Sequence, residues 1–225
     1  MISIIHPSRS RPEKSWKTCQ EWMSKAHCDV ELIISLDSDD PRLKEYKFPA
    51  DIVIVNHNRS AVDAINNAAK IANGDILIVV SDDTECFYGW GKAIEKLTVG
   101  KTDWVIKTQD GIQPWLITMP IMDRIYYDRF GYIYHPDYTH CFCDTELTLV
   151  ADLLQRKIES NYSFPHAHHS IGRAEKDYVS ERADSTFESG KKVFIGRRSN
   201  LFGINETIKP GHLDSIMSNV YMRLR

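Results

Sequence analysis

Short apolar runs alternate with longer amphipathic segments through the first half of the chain. Four of the runs are rich in isoleucine, leucine and valine and predict strands, at residues 2–6, 31–36, 52–56 and 76–81. Two segments between them, 13–25 and 61–72, have apolar residues at helical spacing, and Gly74 is expected to end the second helix. Strands that alternate with helices favour a parallel sheet covered by helices, so the pattern predicts an α/β fold.

The second half of the chain has a less regular pattern. Its apolar runs predict three further strands, at residues 104–107, 115–118 and 158–164. Its helical patterns predict three helices, at residues 120–130, 144–154 and 214–225. Because the stretch from residue 172 onward is polar and weakly periodic, we place a boundary near residue 170. We expect a main domain over residues 1–170 and a small extension over residues 171–225 that packs on or over the active site.

Composition excludes some classes of protein. The 225 residues are 42% hydrophobic and carry a formal net charge of -3, so the chain can form a sizeable core but has no overall positive field for nucleic acid or an anionic membrane. No apolar run approaches the roughly 18 residues of a membrane span, and the first segment is too short for a signal peptide. We therefore expect a cytoplasmic protein. The five cysteines lack paired CxxC spacing, and reduced thiols are the simplest interpretation.

Polar residues follow each of the first four predicted strands. They form the clusters HPSRSR at 6–11, DSDD at 37–40, NHNR at 56–59 and SDD at 81–83. In open α/β sheets, ligands bind in the crevice beyond the carboxyl ends of the strands. Several carboxylates in one crevice repel one another unless a cation lies among them, and a divalent metal ion suits oxygen ligands.

Two carboxylate motifs are candidates for the chemistry. Asp82 and Asp83 end a buried strand, so one could reach a metal ion while the other takes a sugar hydroxyl; the alternative is a polar turn in which Asp82 caps the next helix. Asp144 lies where a helix is predicted to begin, with Glu146 in its first turn. It is either a helix cap or a base that accepts a proton from an incoming hydroxyl group.

Histidines and basic residues supply further candidates. In the segment FPHAHHS, His166 and His168 would point to the same side of an extended chain, and His169 follows, so at least one metal contact is expected. A competing zinc cluster ranks lower because its spacing matches no common template; it comprises His135, His140, Cys141 and Cys143. The basic residues in GKKVFIGRRSN form a solvated face unless the tail folds back over the crevice and holds a diphosphate.

Five segments together resemble the inverting glycosyltransferases of family 2 and their relatives with the GT-A fold. They are ISIIHPSRSRP, ELIISLDSDD, INNAAKIANGDILIVVSDD, WLITMPIMDRIYYDRFGYI and HCFCDTELTLVADLL, and they cover roughly residues 1–170 in order. The resemblance implies a Rossmann-like, mostly parallel central sheet flanked by helices. It also implies a nucleotide-sugar donor and a divalent cation, Mn²⁺ or Mg²⁺.

The resemblance also assigns roles to individual residues. The nucleotide's base and ribose would contact Pro7, Ser8, Arg9, Asp37 and Asp82, with Arg59 as a looser candidate. Asp83 would bind the metal ion and His168 would complete its site, while Arg11 would help to neutralise the leaving diphosphate. Asp144 would be the catalytic base. Two departures leave alternatives open: the DxD motif appears as SDDTE, so Glu85 is a possible partner of Asp83, and the ED motif appears as Cys143–Asp144, which leaves Glu146 as an alternative base.

The resulting hypothesis is a metal-dependent transfer of a sugar, from a UDP-linked donor by preference, to an acceptor hydroxyl with inversion. A glycan, a lipid-linked sugar, a protein and a modified nucleic acid are all open as acceptors. One alternative is a nucleotidyltransferase, although that class usually has a glycine-rich first loop and HPSRSRP has no glycine. A second alternative is a non-catalytic module that binds a nucleotide sugar or a glycan.

Overall fold

A seven-stranded mixed sheet forms the centre of the molecule in a computed structural model, which describes residues 1–47, 49–167, 171–173, 175–206 and 208. The strands run in the spatial order β3-β2-β1-β4-β6-β5-β7. Their bounds are β1 Ile2–Ser8, β2 Val30–Asp37, β3 Ile52–Asn56, β4 Ile76–Val79, β5 Val105–Gln109, β6 Ile121–Asp123 and β7 Lys157–Ser163.

The first four strands are parallel, as the sequence predicted. β1 lies between β2 and β4, with Ser8 opposite Leu36 and Ile5 opposite Val79. Ile5 faces one layer of helices and Ile4 faces the other, and neither is exposed to solvent. Burial on both faces explains the continuous apolar run in the sequence. The predicted α/β fold with a mostly parallel sheet is confirmed.

Seven α-helices are present among the described residues. They are α1 Pro12–Lys25, α2 Ala61–Ile71, α3 Trp90–Thr98, α4 Arg124–Phe130, α5 Cys143–Leu153, α6 Tyr178–Asp184 and α7 Phe187–Ser199. Buried residues of α1 and α3 pack on one face of the sheet, and those of α2, α4 and α5 pack on the other. α7 contributes Phe194 to the second of these layers, where it adjoins α5. None of the described helices is long and apolar enough to span a membrane.

One predicted strand was wrong and one real strand was missed. Residues 115–118 form no strand; instead, Ile121–Asp123 forms β6, antiparallel to both β4 and β5. The helix expected from residue 120 begins after this strand, because Oδ1 of Asp123 accepts a hydrogen bond from the amide of Tyr126 at 2.9 Å. A three-residue strand next to a helix has too few positions to show its own periodicity.

Three helices, α3, α6 and α7, were not predicted, and the helix expected at 214–225 lies outside the described residues. Gly74 does not cap α2, which ends at Ile71 and is followed by Ala72 in an extended conformation. A Cβ atom on Gly74 would lie 2.5 Å from Oγ of Ser3, so the glycine permits a close approach to β1.

Alanine substitutions at two glycines of α7 test whether the contact with Cys141 holds this helix in place. A Cβ atom on Gly190 would lie 2.3 Å from the carbonyl oxygen of Cys141, whereas one on Gly196 would contact nothing within 4 Å. We expect Gly190→Ala to lower the free energy of unfolding by about 1–3 kcal/mol through overpacking. Gly196→Ala should raise it by up to ~1 kcal/mol through helix propensity. Urea denaturation measures both, and equal effects would show that the contact with Cys141 does not hold α7.

Candidate active site

The carboxyl ends of the central parallel strands meet at one edge of the sheet. β1 ends at Ser8, β2 ends at Asp37, and Asp37 pairs in register with Asn56 at the end of β3. β4 runs beside β1 and leads directly into the turn that carries Asp82 and Asp83. The side chains that follow these strands therefore share a single crevice.

Asp37 forms one end of this crevice. Its carboxylate is buried and accepts hydrogen bonds from Nη1 of Arg9 at 2.8 Å and from Nδ2 of Asn58 at 2.9 Å. Nη1 of Arg9 also donates to Oδ1 of Asp39 at 2.5 Å. The pairing fixes the Arg9 guanidinium across the ends of β1 and β2.

The loop after β1 is held by side-chain contacts to the neighbouring loop. Oγ of Ser8 lies 2.9 Å from the hydroxyl of Tyr46, which also accepts a hydrogen bond from the amide of Arg11 at 3.0 Å. Asp40 accepts a hydrogen bond from the amide of Ser10 at 2.7 Å. Pro7 lies within β1, opposite Ser35 of β2. The first loop is thus a fixed wall of the crevice.

Arg59 is placed differently from the other predicted nucleotide contacts. Its guanidinium donates to both carboxylate oxygens of Asp63 at 2.7 Å and to the carbonyl of Pro136 at 3.0 Å. Its side chain is 62% exposed. The structure therefore engages this arginine in a local ion pair one turn into α2, and no contact joins it to Asp82 or Asp83 among the described residues.

Asp82 is buried against a histidine that the sequence did not single out. Oδ1 of Asp82 lies 3.1 Å from Nε2 of His6, whose hydrogen bonds go to Oγ of Ser15 at 2.9 Å and to the carbonyl of Val80 at 2.8 Å. Burial alone would lower the pKa of His6, but the acidic groups of Cys19 and Asp82 beside the ring raise that pKa to about 10. Apart from this contact with His6, Oδ1 of Asp82 has no hydrogen-bond partner in the described structure.

Asp83 contacts His166, which lies 83 residues later in the chain. Oδ1 of Asp83 is 2.9 Å from Nε2 of His166 and accepts a hydrogen bond from Oγ of Ser81 at 2.9 Å. Burial opposes ionisation of this carboxyl group, but His166, Ser81 and the nearby Arg11 outweigh it and lower the pKa of Asp83 to about 2. Asp83 is therefore a carboxylate at neutral pH.

The backbone fixes this pair from two sides. The amide of Ala167 donates to the carbonyl of Asp83 at 2.8 Å, and Thr84 and His166 form an isolated antiparallel bridge. On the other side, α1 holds the same turn, because Oγ1 of Thr18 donates to the carbonyl of Asp82 at 2.8 Å and Nε1 of Trp22 donates to that of Thr84 at 2.9 Å. The turn is thus rigid although it lies outside regular structure.

These carboxylates suit a divalent cation. Asp83 is ionised and Asp82 follows Ser81 in the same turn, and carboxylate oxygens of this kind are the ligands that Mg²⁺ and Mn²⁺ prefer. The part of the chain that the structure describes contains no complete group of three metal-binding side chains. A cation bound together with a diphosphate needs only one or two protein carboxylates, so the residues present fit it. His168 and His169 lie outside the described residues.

Arg11 lies over the aspartate pair. Its Nη1 atom is 3.9 Å from Oδ2 of Asp82 and 3.9 Å from Oδ2 of Asp83, beyond hydrogen-bond distance. Its other edge is paired with Asp177, which is the residue just before α6. This contact joins the first loop of the molecule to a segment that the sequence placed in the C-terminal extension.

Asp144 is the second residue of α5 and is half-buried. Loss of surrounding water raises the pKa of its carboxyl group, against the opposing effects of the amide of Thr145 at 2.7 Å and of His140. His140 also interacts electrostatically with Asp184 and His166, which places Asp144 on the same side of the molecule as the Asp83–His166 pair. A carboxyl group with a raised pKa is suited to accept a proton.

Glu146, the alternative base, faces the protein interior. Its carboxylate is buried and bound by Nε and Nη2 of Arg197 at 2.8–2.9 Å and by the hydroxyl of Tyr138 at 2.8 Å. This network ties α5 to α7 and engages both carboxylate oxygens of Glu146. Arg197, which the sequence offered as a possible diphosphate contact, is occupied by the same network.

The competing zinc cluster does not assemble among the described residues. Cys143 is buried in the core on α5, and Sγ of Cys141 lies 3.5 Å from the carbonyl of Ala183. His135 lies beside Asp137, with 3.6 Å between Nδ1 and Oδ2. The cysteines are therefore packing residues, as their side-chain type allows.

Sequence reasoning missed the partners that complete the crevice: His6, Asp177, Arg182 and the contact between His166 and Asp83. The HxH spacing did indicate a histidine here, but it could not choose between its two members. His6 ends the apolar run of β1, and a buried polar residue at a strand end was its only signal. Nothing in the sequence joined Asp177 to Arg11 across 166 residues.

Solved structures share this fold. S. aureus TarS 1-349 in complex with UDP-GlcNAc matches 97% of this chain and 70% of its own at 14% identity, with a TM-score of 0.68. The mannosyltransferase PcManGT from Pyrobaculum calidifontis, in complex with GDP-Man and Mn²⁺, matches 100% of this chain and 80% of its own at 9% identity, with a TM-score of 0.57. Glucosyl-3-phosphoglycerate synthase from Mycobacterium tuberculosis, in complex with Mn²⁺, UDP and glucosyl-3-phosphoglycerate, matches 83% and 78% at 12% identity, with a TM-score of 0.56.

These similarities confirm the predicted GT-A fold. The chain spans only 59% of the length of TarS 1-349 as solved with UDP. No protein-family model and no curated protein matches the chain. At identities of 9–14% the likeness extends to the fold alone, and the function has to be argued from the side chains.

Measurements of stability should distinguish the roles of Glu146 and Asp144, the two acids of α5. Glu146→Gln should lower the free energy of unfolding by about 3 kcal/mol, because it leaves the Arg197 guanidinium without its counter-charge. Asp144→Asn should leave stability unchanged or slightly higher, because it removes a half-buried charge that has no ion-pair partner at hydrogen-bond distance among the described residues. Urea denaturation of both variants tests this; a larger loss for Asp144→Asn would show that we have exchanged their roles.

Proposed function

We propose that this protein is a metal-dependent glycosyltransferase, which moves a sugar from a nucleotide-sugar donor, UDP-linked by preference, to an acceptor hydroxyl with inversion. The observation that carries the proposal is the arrangement at the end of β4, where ionised Asp83 contacts His166 and the buried carboxylate of Asp82 lies beside it against His6. In an α/β sheet this crevice is where nucleotides bind. Solved proteins of the same fold hold UDP, UDP-GlcNAc or GDP-Man, two of them with Mn²⁺.

The residues divide into two groups by position. At one end, Arg9 and Asp37 would contact the base and the ribose, supported by the rigid wall that contains Pro7 and Ser8. At the other end, Asp82 would contact the ribose, and Asp83 with the predicted ligand His168 would hold Mn²⁺ or Mg²⁺. His166 is a second candidate for that histidine, since it already contacts Asp83. Arg59 is the weakest member of the set, because its guanidinium is paired with Asp63.

The chemistry follows from these positions. A bound divalent cation would neutralise charge on the leaving diphosphate. Arg11 supplies a further positive charge beside the aspartate pair, at the point where negative charge would develop. Asp144 would accept the proton of the acceptor hydroxyl as its oxygen attacks the anomeric carbon from the opposite face. One displacement of this kind inverts the configuration at that carbon.

Donor hydrolysis distinguishes this function from its two alternatives. With Mn²⁺ and no acceptor, a transferase should release UDP slowly from a UDP-sugar, whereas a binding module should release none. A nucleotidyltransferase should instead release pyrophosphate from a nucleoside triphosphate. A thermal-shift screen of nucleotide sugars, with and without Mn²⁺, selects the donor for this assay. If no nucleotide sugar stabilises the protein in this screen, the proposal is overturned.

Asp83→Asn should abolish Mn²⁺-dependent binding of UDP, because an amide is a much poorer ligand than a carboxylate for a hard cation. Glu85→Gln is the matched control, since Glu85 lies in the same turn but is exposed to solvent. Its calorimetric affinity for UDP with Mn²⁺ should equal that of the wild type. Unchanged affinity in Asp83→Asn would exclude Asp83 as the ligand, and a loss in Glu85→Gln alone would move the metal site to Glu85.

Asp144→Asn should bind UDP normally but lose transfer activity by ~10² or more, as expected for removal of a general base. Because burial raises the pKa of Asp144, the base protonates at a higher pH than an exposed aspartate. The wild-type kcat/KM should therefore fall as the pH decreases through that raised pKa, and this acidic limb should disappear in the variant. Near-normal turnover by Asp144→Asn would exclude it as the base.

A further inference from the structure

The segment of residues 175–186, here called the strap, lies across the crevice. Asp177 accepts hydrogen bonds from Nε of Arg11 at 2.7 Å and from Nη2 of Arg11 at 2.6 Å, which is a two-point pairing of carboxylate and guanidinium. Oγ of Ser180 lies 3.3 Å from the same Nη2 atom. Arg11 holds the pKa of Asp177 well below its usual range, so this carboxyl group is ionised.

The other end of α6 contacts the base end of the crevice. Nη2 of Arg182 donates to the carbonyl of Arg59 at 2.8 Å, and its Nη1 lies 3.9 Å from Oδ2 of Asp37. Arg182 lies five positions after Asp177, which corresponds to about 8 Å along a helix. The strap therefore bridges the two groups, Arg11 and Asp37, to which we assign opposite ends of the nucleotide.

We propose that the strap is an internal competitor of the donor, in which the carboxylate of Asp177 occupies the position on Arg11 that a donor phosphate takes. The inference rests on the proposed function, since it assumes a nucleoside diphosphate as ligand. Binding of the donor then breaks the Arg11–Asp177 pair and displaces the strap. The protein alternates between a form closed by its own chain and a form open to the nucleotide.

The hydrogen-bonding geometry of a guanidinium supports this competition between Asp177 and the donor for Arg11. Its planar edge binds a carboxylate or a phosphate through the same two parallel hydrogen bonds, so Arg11 offers that edge to one anion at a time. The atom that remains, Nη1, faces Asp82 and Asp83 at 3.9 Å, outside hydrogen-bond distance. A diphosphate beside the aspartates could contact Nη1 with Asp177 in place, but it could form the stronger two-point pair with Nε and Nη2 only after Asp177 has left.

The negative charge of Asp177 disfavours the closed position of the strap. It adds a third carboxylate beside Asp82 and Asp83, all within reach of one arginine. Most of the strap is exposed or half-buried, and none of its residues from 178 to 184 is buried. A segment with little buried apolar surface costs little free energy to displace. The two-point pair with Arg11 is thus the main contact that the donor must replace.

Asp177→Asn tests the competition. Asparagine caps a helix as well as aspartate does, so α6 should persist while the charged pair is lost. Calorimetry should show that UDP with Mn²⁺ binds the variant about tenfold or more tightly than the wild type, because one charge-assisted pair no longer opposes it. Glu181→Gln is the matched control: it removes an exposed carboxylate from the same helix, and its affinity should equal that of the wild type.

Hydrogen exchange on the wild-type protein gives an independent measurement. UDP with Mn²⁺ should speed exchange of the amides of α6 and leave those of α1 unchanged. The inference is supported if Asp177→Asn binds UDP more tightly than the wild type does. It is also supported if the variant binds UDP and the wild type shows no binding. Equal or weaker binding by Asp177→Asn, or slower exchange in α6, overturns it while leaving the proposed function intact. Failure of UDP to bind either protein overturns both.

Discussion

Repulsion among carboxylates at the edge of the sheet is the constraint on which the rest of the structure depends. Parallel strands bring Asp37, Asp82 and Asp83 to one side of the molecule, and all three are at least partly buried. Each is matched by a cation or an imidazole from elsewhere in the chain: Arg9 for Asp37, His6 for Asp82, and His166 for Asp83. The crevice is therefore assembled by charge pairing as much as by strand order.

That pairing explains why distant segments converge. His166 reaches Asp83 because β7 runs parallel to β5 and ends in a segment whose backbone bonds to the turn after β4. The amide of His166 donates to the carbonyl of Asp110 at 3.0 Å, which joins the ends of β4, β5 and β7. A rigid turn held on both sides can aim carboxylates at a ligand without rearrangement, which is the form of preorganisation that electrostatic catalysis requires.

The length of each strand or helix decided whether the sequence could predict it. The strands from β1 to β4 were predictable because residues such as Ile4 and Ile5 are buried on both faces, which leaves a long apolar run. β6 was not, because three residues beside a helix carry no period of their own. Glu146 illustrates the limit for side chains: its motif suited a base, yet its ion pair with Arg197 depends on where α7 packs, and no local pattern encodes that.

The charges around Arg11 also determine which anion the crevice accommodates best. Although His6 and His166 contact Asp82 and Asp83, Asp177 adds a further carboxylate to the single guanidinium that faces them, which increases the negative charge of the site. A diphosphate that arrives with a divalent cation brings nearly as much positive as negative charge, and under the proposal it would remove Asp177 from the arginine. The exchange therefore lowers the repulsion between Asp82 and Asp83, whereas a diphosphate without a cation would raise it. In the proposed mechanism, dependence on the metal and displacement of the strap would be two consequences of one electrostatic balance, because a metal-bound donor would offset the loss of the Arg11–Asp177 pair better than a diphosphate alone.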